Sequence, residues 1–285
     1  MRARAAEYEL VSPGTLAGVL GLMSAEPGGW MPIAGGTELM VQFGAGRLRA
    51  KRLVNIFGLG ELGGIKETAA GVEIGAGVTY TELRQSAVVA ERFPLLARAA
   101  GWTGSIANQN RGTLGGNLVN GSPAADSPPA LLAYGAEVEL VSVRGVRRVA
   151  YDGFHTGYKK TVLAPDELVK SVLVPWVAGE PVQYLRKVGP RNAMAISKVA
   201  LGAVGRVEAG KVAGVRIGLA SVSYAPYRCR ATEDFLNGRR VGDLSGAREA
   251  LLGEIRPLDD IRSTGEYRAE VAGNLLEEFL EELAG

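Results

Sequence analysis

The 285-residue sequence holds a single cysteine, Cys229, and a single histidine, His155. One cysteine excludes an internal disulfide, and one Cys with one His cannot assemble an iron–sulfur cluster or a Cys/His zinc site. Any redox metal that this chain works with must then be held by another chain. Surplus charge is equally scarce: 32 Lys and Arg stand against 30 Asp and Glu, a formal net charge of +2. Binding a phosphate backbone needs a concentrated basic surface, so nucleic acid is not expected as the main partner. Apolar stretches are all broken by Gly, Pro or charge within about 18 residues, the spanning minimum, so no membrane insertion is expected. The opening MRARAAEYEL has two arginines but neither an apolar segment nor a small-residue cleavage site, so it does not read as a secretory signal and a cytoplasmic location is the expectation. There is no GKS or GKT tripeptide for a P-loop, no H-E-x-x-H and no G-x-S-x-G.

Glycine, by contrast, is abundant: 40 residues, about twice the usual share, with no collagen period. Such a chain is expected to bring its backbone close to a ligand in several loops. Ser12-Pro13 reads as an N-cap with Pro at N1, followed by Leu16, Val19, Leu20 and Met23 at helical spacing. The sequence predicts strands over 31–34, 52–57, 72–78, 137–143 and within 162–174, and helices over 79–86, 91–100 and 128–134. The polar stretch 105–122, SIANQNRGTLGGNLVNGS, reads as a long functional loop. Val177-Ala178-Gly179-Glu180-Pro181 has the composition of a linker, which divides the chain into 1–176 and 177–285. Beyond it, strands over 182–188, 199–207 and 212–220 precede helices over 232–236, 245–255 and 264–283. Glu277, Glu278, Glu281 and Glu282 on the last helix form a solvated face.

Two double-glycine motifs stand out, Ala34-Gly35-Gly36-Thr37-Glu38 and Thr113-Leu114-Gly115-Gly116-Asn117. Each is read as following an extended segment, with hydroxyl and polar groups alongside, an arrangement that can aim several backbone N–H groups at one anion. Either alone could be an ordinary tight turn; the two together point to a bound diphosphate. Gly58-Leu59-Gly60-Glu61-Leu62-Gly63 also matches G-x-G-x-x-G, but Gly64 follows at once and no βαβ unit emerges, so it reads as a decoy. His155 reads as a loop histidine making a structural hydrogen bond, and Cys229 as a packed thiol. Asp126 sits at a helix start, where it can cap the helix or accept a hydrogen bond from a ribose or ribityl hydroxyl.

At these residues the chain resembles the FAD-binding medium subunits of molybdenum hydroxylases, most closely those of xanthine dehydrogenases. The resemblance rests on AGGTEL at 34–39, RGTLGGNLVNGSPAADSPPALLAYGAEVEL at 111–140, GFHTGYKKT at 153–161 and RKVGPRNAMAISKV at 186–199, four motifs in family order across the whole length. It implies an α+β protein: a two-lobed FAD-binding domain of the vanillyl-alcohol-oxidase type, with lobes of about 1–57 and 58–176, and a smaller C-terminal α+β domain over 177–285. It further implies that Ile33, Ala34, Gly35, Gly36, Thr37 and Glu38 wrap the FAD diphosphate, that Thr113, Gly116 and Asn117 approach the diphosphate and ribityl region, that Asp126 is the family's acidic residue, and that Lys187 lies by the flavin ring. Tyr158 and Lys159 resemble the segment lining the nicotinamide approach; the alternative is a tyrosine packed under the domain junction beside solvated lysines. Met194 stands where carbon-monoxide-oxidising relatives carry a tyrosine. The implied partners are a large molybdenum-binding subunit, a small [2Fe-2S] subunit, and NAD or another acceptor.

Overall fold

The computed structural model describes residues 4–191 and 193–285. The N-terminal lobe runs β1 (Glu9–Val11), α1 (Leu16–Ala25), β2 (Met31–Ile33), α2 (Leu39–Gly44) and β3 (Arg52–Asn55). β3 lies between β1 and β2 and is parallel to both, with Leu53 opposite Leu10 on one side and Met31 on the other. Leu16, Val19, Leu20 and Met23, one face of a 3.6-residue period, bury against Trp30, Val54 and Leu62. The helix starts three residues later than Ser12-Pro13 suggested. Thr15 is the cap, its hydroxyl accepting the Gly18 N–H at 3.1 Å, because it directly precedes the first buried position; the Ser12 hydroxyl instead accepts from the Asn55 side chain.

The second lobe contains β4 (Ile65–Glu67), β5 (Gly71–Gly75), α3 (Tyr80–Gln85), α4 (Ala87–Arg92), α5 (Pro94–Trp102), α6 (Ile106–Gln109), α7 (Leu114–Asn120), α8 (Ser127–Tyr134), β6 (Glu137–Ser142), β7 (Gly145–Ala150), a hairpin of β8 (His155–Gly157) and β9 (Lys160–Thr161), and β10 (Leu168–Pro175). Its sheet has the order β4-β5-β10-β6-β7, with every neighbouring pair antiparallel. The helix expected over 91–100 is broken at Phe93 (φ −132°, ψ 55°), since Pro94 opens α5 and cannot continue a helix that precedes it. Nor is 105–122 a loop. It folds into α6 and α7, capped by Ser105 and Thr113. Its glycines and asparagines are poor helix formers, and the caps and the burial of Leu114 and Leu118 outweigh that propensity.

The C-terminal part comprises β11 (Val182–Val188), β12 (Val199–Glu208), β13 (Lys211–Ala220), β14 (Tyr227–Arg228), α9 (Arg230–Leu236), α10 (Ala247–Glu254) and α11 (Gly265–Ala284). The four strands form one antiparallel sheet in sequence order. One face carries a core with Leu236, Leu251, Leu276 and Phe279, where Cys229 is also buried, and the outer glutamates of α11 are exposed. The other face meets α8, all of whose residues are buried. A Cβ on Gly202 would lie 2.9 Å from the Pro129 carbonyl oxygen, and one on Gly218 2.6 Å from it, so the helix rests directly on the backbone of β12 and β13. Its other contacts run into the core beneath the five-stranded sheet, with Val72, Val138 and Val172. No helix among the described residues is long and apolar enough to cross a membrane.

Candidate functional site

Residues 34–38 turn the chain from β2 into α2. Gly36 sits at φ +74°, where a side chain is strained. The turn is closed downstream by Met40 N–H to Gly36 O (2.9 Å) and Gln42 N–H to Glu38 O (3.1 Å). The N–H groups of Gly35, Gly36, Thr37 and Glu38 donate to nothing among the described residues. An ideal Cβ on Gly35 would sit 1.6 Å from the carbonyl oxygen of Arg111, so this turn lies directly against the entry to the second motif. The Arg111 guanidinium lies over the Phe57 ring, 4.0 Å from its centroid, a second tie between the lobes.

The second motif is the first turn of a helix, which corrects the reading of it as an extended segment followed by a glycine loop. Backbone bonds fix it on the segment after β5: Tyr80 N–H to Gly112 O (3.1 Å), Leu114 N–H to Val78 O (2.9 Å) and Gly115 N–H to Ala76 O (2.9 Å). Thr113 caps α7, its hydroxyl accepting the Gly116 N–H at 3.1 Å. Gly115 is buried against Ala76, whereas Gly116 is exposed. The side-chain oxygen of Asn117 is buried and has no donor.

Asp126 does not cap α8; its backbone is already helical (φ −84°, ψ −32°) and its side chain makes no cap bond. The carboxylate instead pairs with the Lys187 ammonium (2.8 Å) and accepts from the Ser197 hydroxyl (2.9 Å), both at Oδ1. Burial raises the Asp126 carboxyl above the usual range, opposed by Lys187 and then Ser197. The next residue, Ser127, shares a 3.1 Å hydrogen bond with Tyr80 OH, which links this pair to the segment holding the second motif.

The β8–β9 hairpin closes another side. Lys159, at φ +52°, brings its ammonium 3.7 Å from the Glu38 carboxylate. Tyr158 is 62% exposed, so it is not packed under the domain junction. Gly121, in the left-handed conformation that ends α7, approaches Lys159 so closely that a Cβ would lie 3.1 Å from its Cα. His155 lies in β8, with Nε2 3.2 Å from Tyr151 OH and Nδ1 buried without a partner. Burial pushes it down to about 4, so it is neutral at neutral pH.

The expected residues thus gather as one turn (Ile33 to Glu38), one helix start (Thr113, Gly116, Asn117), one ion pair (Asp126, Lys187) and one hairpin tip (Tyr158, Lys159). Sequence reasoning missed Arg111, whose contribution is a carbonyl that no side-chain pattern marks, and Ser197, which lay inside the fourth motif without a signal of its own. The remaining glycine motif is packing: residues 60–62 form one 3-10 turn, and a Cβ on Gly75 would lie 2.3 Å from Leu62 O. Free donors beside a side-chain-free backbone and a buried amide oxygen without a donor suit a ligand that combines a diphosphate with hydroxyl groups.

Residues 6–177 match the family model of the FAD binding domain in molybdopterin dehydrogenase, and residues 184–283 that of the CO dehydrogenase flavoprotein C-terminal domain. The chain belongs to this family. Its cofactor is FAD. Among curated relatives it is 30% identical to the xanthine dehydrogenase FAD-binding subunit of Escherichia coli O157:H7, covering 94% of this chain and 93% of that one. It is 29% identical to the carbon monoxide dehydrogenase medium chain of Hydrogenophaga pseudoflava, with 87% of each chain covered. The solved carbon monoxide dehydrogenase of the same organism superposes with a TM-score of 0.92 at 28% identity over 97% of both chains. The α+β fold expected for an FAD-binding medium subunit with a C-terminal domain is the fold observed.

Proposed function

We propose that this chain is the electron-transfer flavin subunit of a molybdenum hydroxylase of the xanthine dehydrogenase kind. Electrons taken from substrate at a large molybdenum-binding subunit pass through the clusters of a small [2Fe-2S] subunit to the FAD, and from there to NAD. The observation that carries the reading is the seating of the Gly35 backbone against the Arg111 carbonyl, which brings the two glycine motifs into contact. Bound FAD supplies the one- and two-electron chemistry that side chains lack.

The chain's own groups bind and orient. The N–H groups of Gly35 to Glu38 take the diphosphate, with Ile33 and Ala34 forming the wall of the same turn. Gly116 lets a ligand approach the start of α7, the Asn117 oxygen accepts from a ligand hydroxyl, and Thr113 holds that turn in shape. Asp126 keeps Oδ2 for a second hydroxyl, and the Lys187 ammonium favours negative charge at the flavin's pyrimidine edge. Tyr158 and Lys159 face the acceptor side, where an exposed ring can cover a flavin face and a cation can attract a dinucleotide phosphate.

Two measurements test this. Purification of the native complex should yield a large and a small subunit with molybdenum and iron; a yellow chain isolated without them and hydroxylating substrate alone would refute the assignment. Within that complex, Lys159→Ala should raise the KM for NAD several-fold (about tenfold, as for loss of a charge-assisted contact) while FAD content stays unchanged. A wild-type complex that cannot use NAD would assign the electrons to a quinone, oxygen or protein acceptor.

A further inference from the structure

The carboxylate that pairs with Lys187 is gripped from behind by the C-terminal part of the chain. The Ser197 hydroxyl, fully buried, donates to Asp126 Oδ1. The Ser197 carbonyl in turn accepts from the Ser221 hydroxyl at 2.9 Å. Ser221 N–H donates to the carbonyl of Pro123, three residues before Asp126, at 2.8 Å. One serine therefore ties both the segment that carries Asp126 and the residue that hydrogen-bonds it.

Ser221 stands at φ +67°, a strained conformation for a non-glycine residue that persists only where its surroundings over-determine it. Those surroundings are Arg268 on α11. This arginine is 3% exposed, and its Nη1 donates to Lys198 O at 2.6 Å and to Ser221 O at 3.3 Å. Nη2 is anchored by Asp260 at 2.7 Å. Lys198 N–H then donates to Val188 O at 2.8 Å, beside Lys187 in the sequence. A buried guanidinium is expensive unless its hydrogen bonds are met; here Nε is buried without a partner, and Nη1 goes to the carbonyl of Lys198, next to Ser197, and to that of Ser221 itself.

We infer that Ser197 and Ser221 are positioning residues for the Asp126–Lys187 pair, held in place by Arg268, so that residues of the C-terminal part that do not themselves touch the flavin set the geometry of the ion pair beside it. The inference rests on the reading above that Lys187 lies beside the flavin ring. A merely structural serine would change thermal stability alone. A positioning serine changes what the bound flavin reports, because an ammonium that its partner carboxylate no longer holds in place lies farther from the reduced ring on average and stabilises charge there less well.

The test uses the full-length chain with FAD, following affinity by flavin fluorescence and the midpoint potential by dye equilibration, with thermal unfolding of the flavin-free protein as control. Lys187→Met sets the full effect: weaker FAD binding and a more negative midpoint. Ser197→Ala should move both in the same direction, with affinity down about tenfold, as for loss of a hydrogen bond to a charged group. Ser221→Ala should do so by less, about two- to threefold, since it removes a neutral bond one step away. Should Ser197→Ala fail to fold, Ser221→Ala carries the test by itself. If the serine variants leave affinity and midpoint at wild-type values while Lys187→Met shifts them, the positioning role is overturned and the placement of Lys187 stands. If Lys187→Met shifts neither, that placement fails and the inference falls with it.

Discussion

Gly35-Gly36 and Gly115-Gly116 look alike in the sequence, each a glycine pair with a threonine close by, yet they do opposite things with the missing side chains. In the first, Gly35 makes room for a neighbouring carbonyl and Gly36 supplies a left-handed turn, and four N–H groups are left without a partner among the described residues. In the second, the pair lies in a helix. Gly115 lets α7 sit on Ala76, and only Gly116 is turned toward solvent. A third cluster around Gly58–Gly64 resembles both, yet its own glycines are exposed, Gly58 and Gly64 serve turns at positive φ, and the close approach there is made by Gly75 of β5 against the Leu62 carbonyl. Glycine density thus marks turns and close approach of backbone alike, and the count of unpartnered donors is what sets the proposed ligand approach at Gly35–Glu38 apart.

Substitutions can break that contrast. Gly35→Val should have the largest effect on flavin: the clash with the Arg111 carbonyl is deeper than the overpacking that costs ~1–3 kcal/mol, so FAD affinity should fall by at least about a hundredfold, read as loss of visible absorbance. Gly115→Ala places a methyl 2.6 Å from Ala76 Cβ and should lower the unfolding free energy by about 1–3 kcal/mol in denaturant titrations, with flavin affinity falling less than in Gly35→Val. Asn117→Ala sharpens the comparison from the other side. It should weaken FAD about tenfold yet leave the flavin-free protein as stable as wild type or more so, because the oxygen removed is buried and unsatisfied without ligand. Gly58→Ala, at φ +82° with open space around it, should cost only about 1 kcal/mol of stability and leave flavin titration unchanged.

Much of this was legible before any coordinates. The amphipathic period of α1, the β-branched runs of β6 and β10 and the strands of the C-terminal sheet announce themselves because burial repeats at fixed intervals. What failed to show has physical causes. The stretch 105–122 is helical against its composition, through caps and a few buried leucines. Charged β7 is exposed along most of its length, so no alternation betrays it. Asp126, which precedes a helix, reads equally as a cap or as an acceptor for a ligand hydroxyl, and the distant Lys187 and Ser197 that hold it leave no mark in the local sequence. The site was readable where side chains or glycines carry it, and hidden where a carbonyl (Arg111) or a relay of hydroxyls (Ser197, Ser221) does.

The buried helix α8 bears on how such a chain can change over generations. The two family models part between residues 177 and 184, which invites the idea of two modules that could be exchanged or lost separately. Yet α8, encoded on one side of that seam, has Gly202 and Gly218 from the other side pressed to its backbone, where no larger residue fits. A chain shortened at the seam would leave an apolar helix surface uncovered and prone to association. Recombination between relatives would have to carry α8 together with the two strands beneath it. The seam visible in sequence is a join between recognisable texts, and the unit of inheritance spans it.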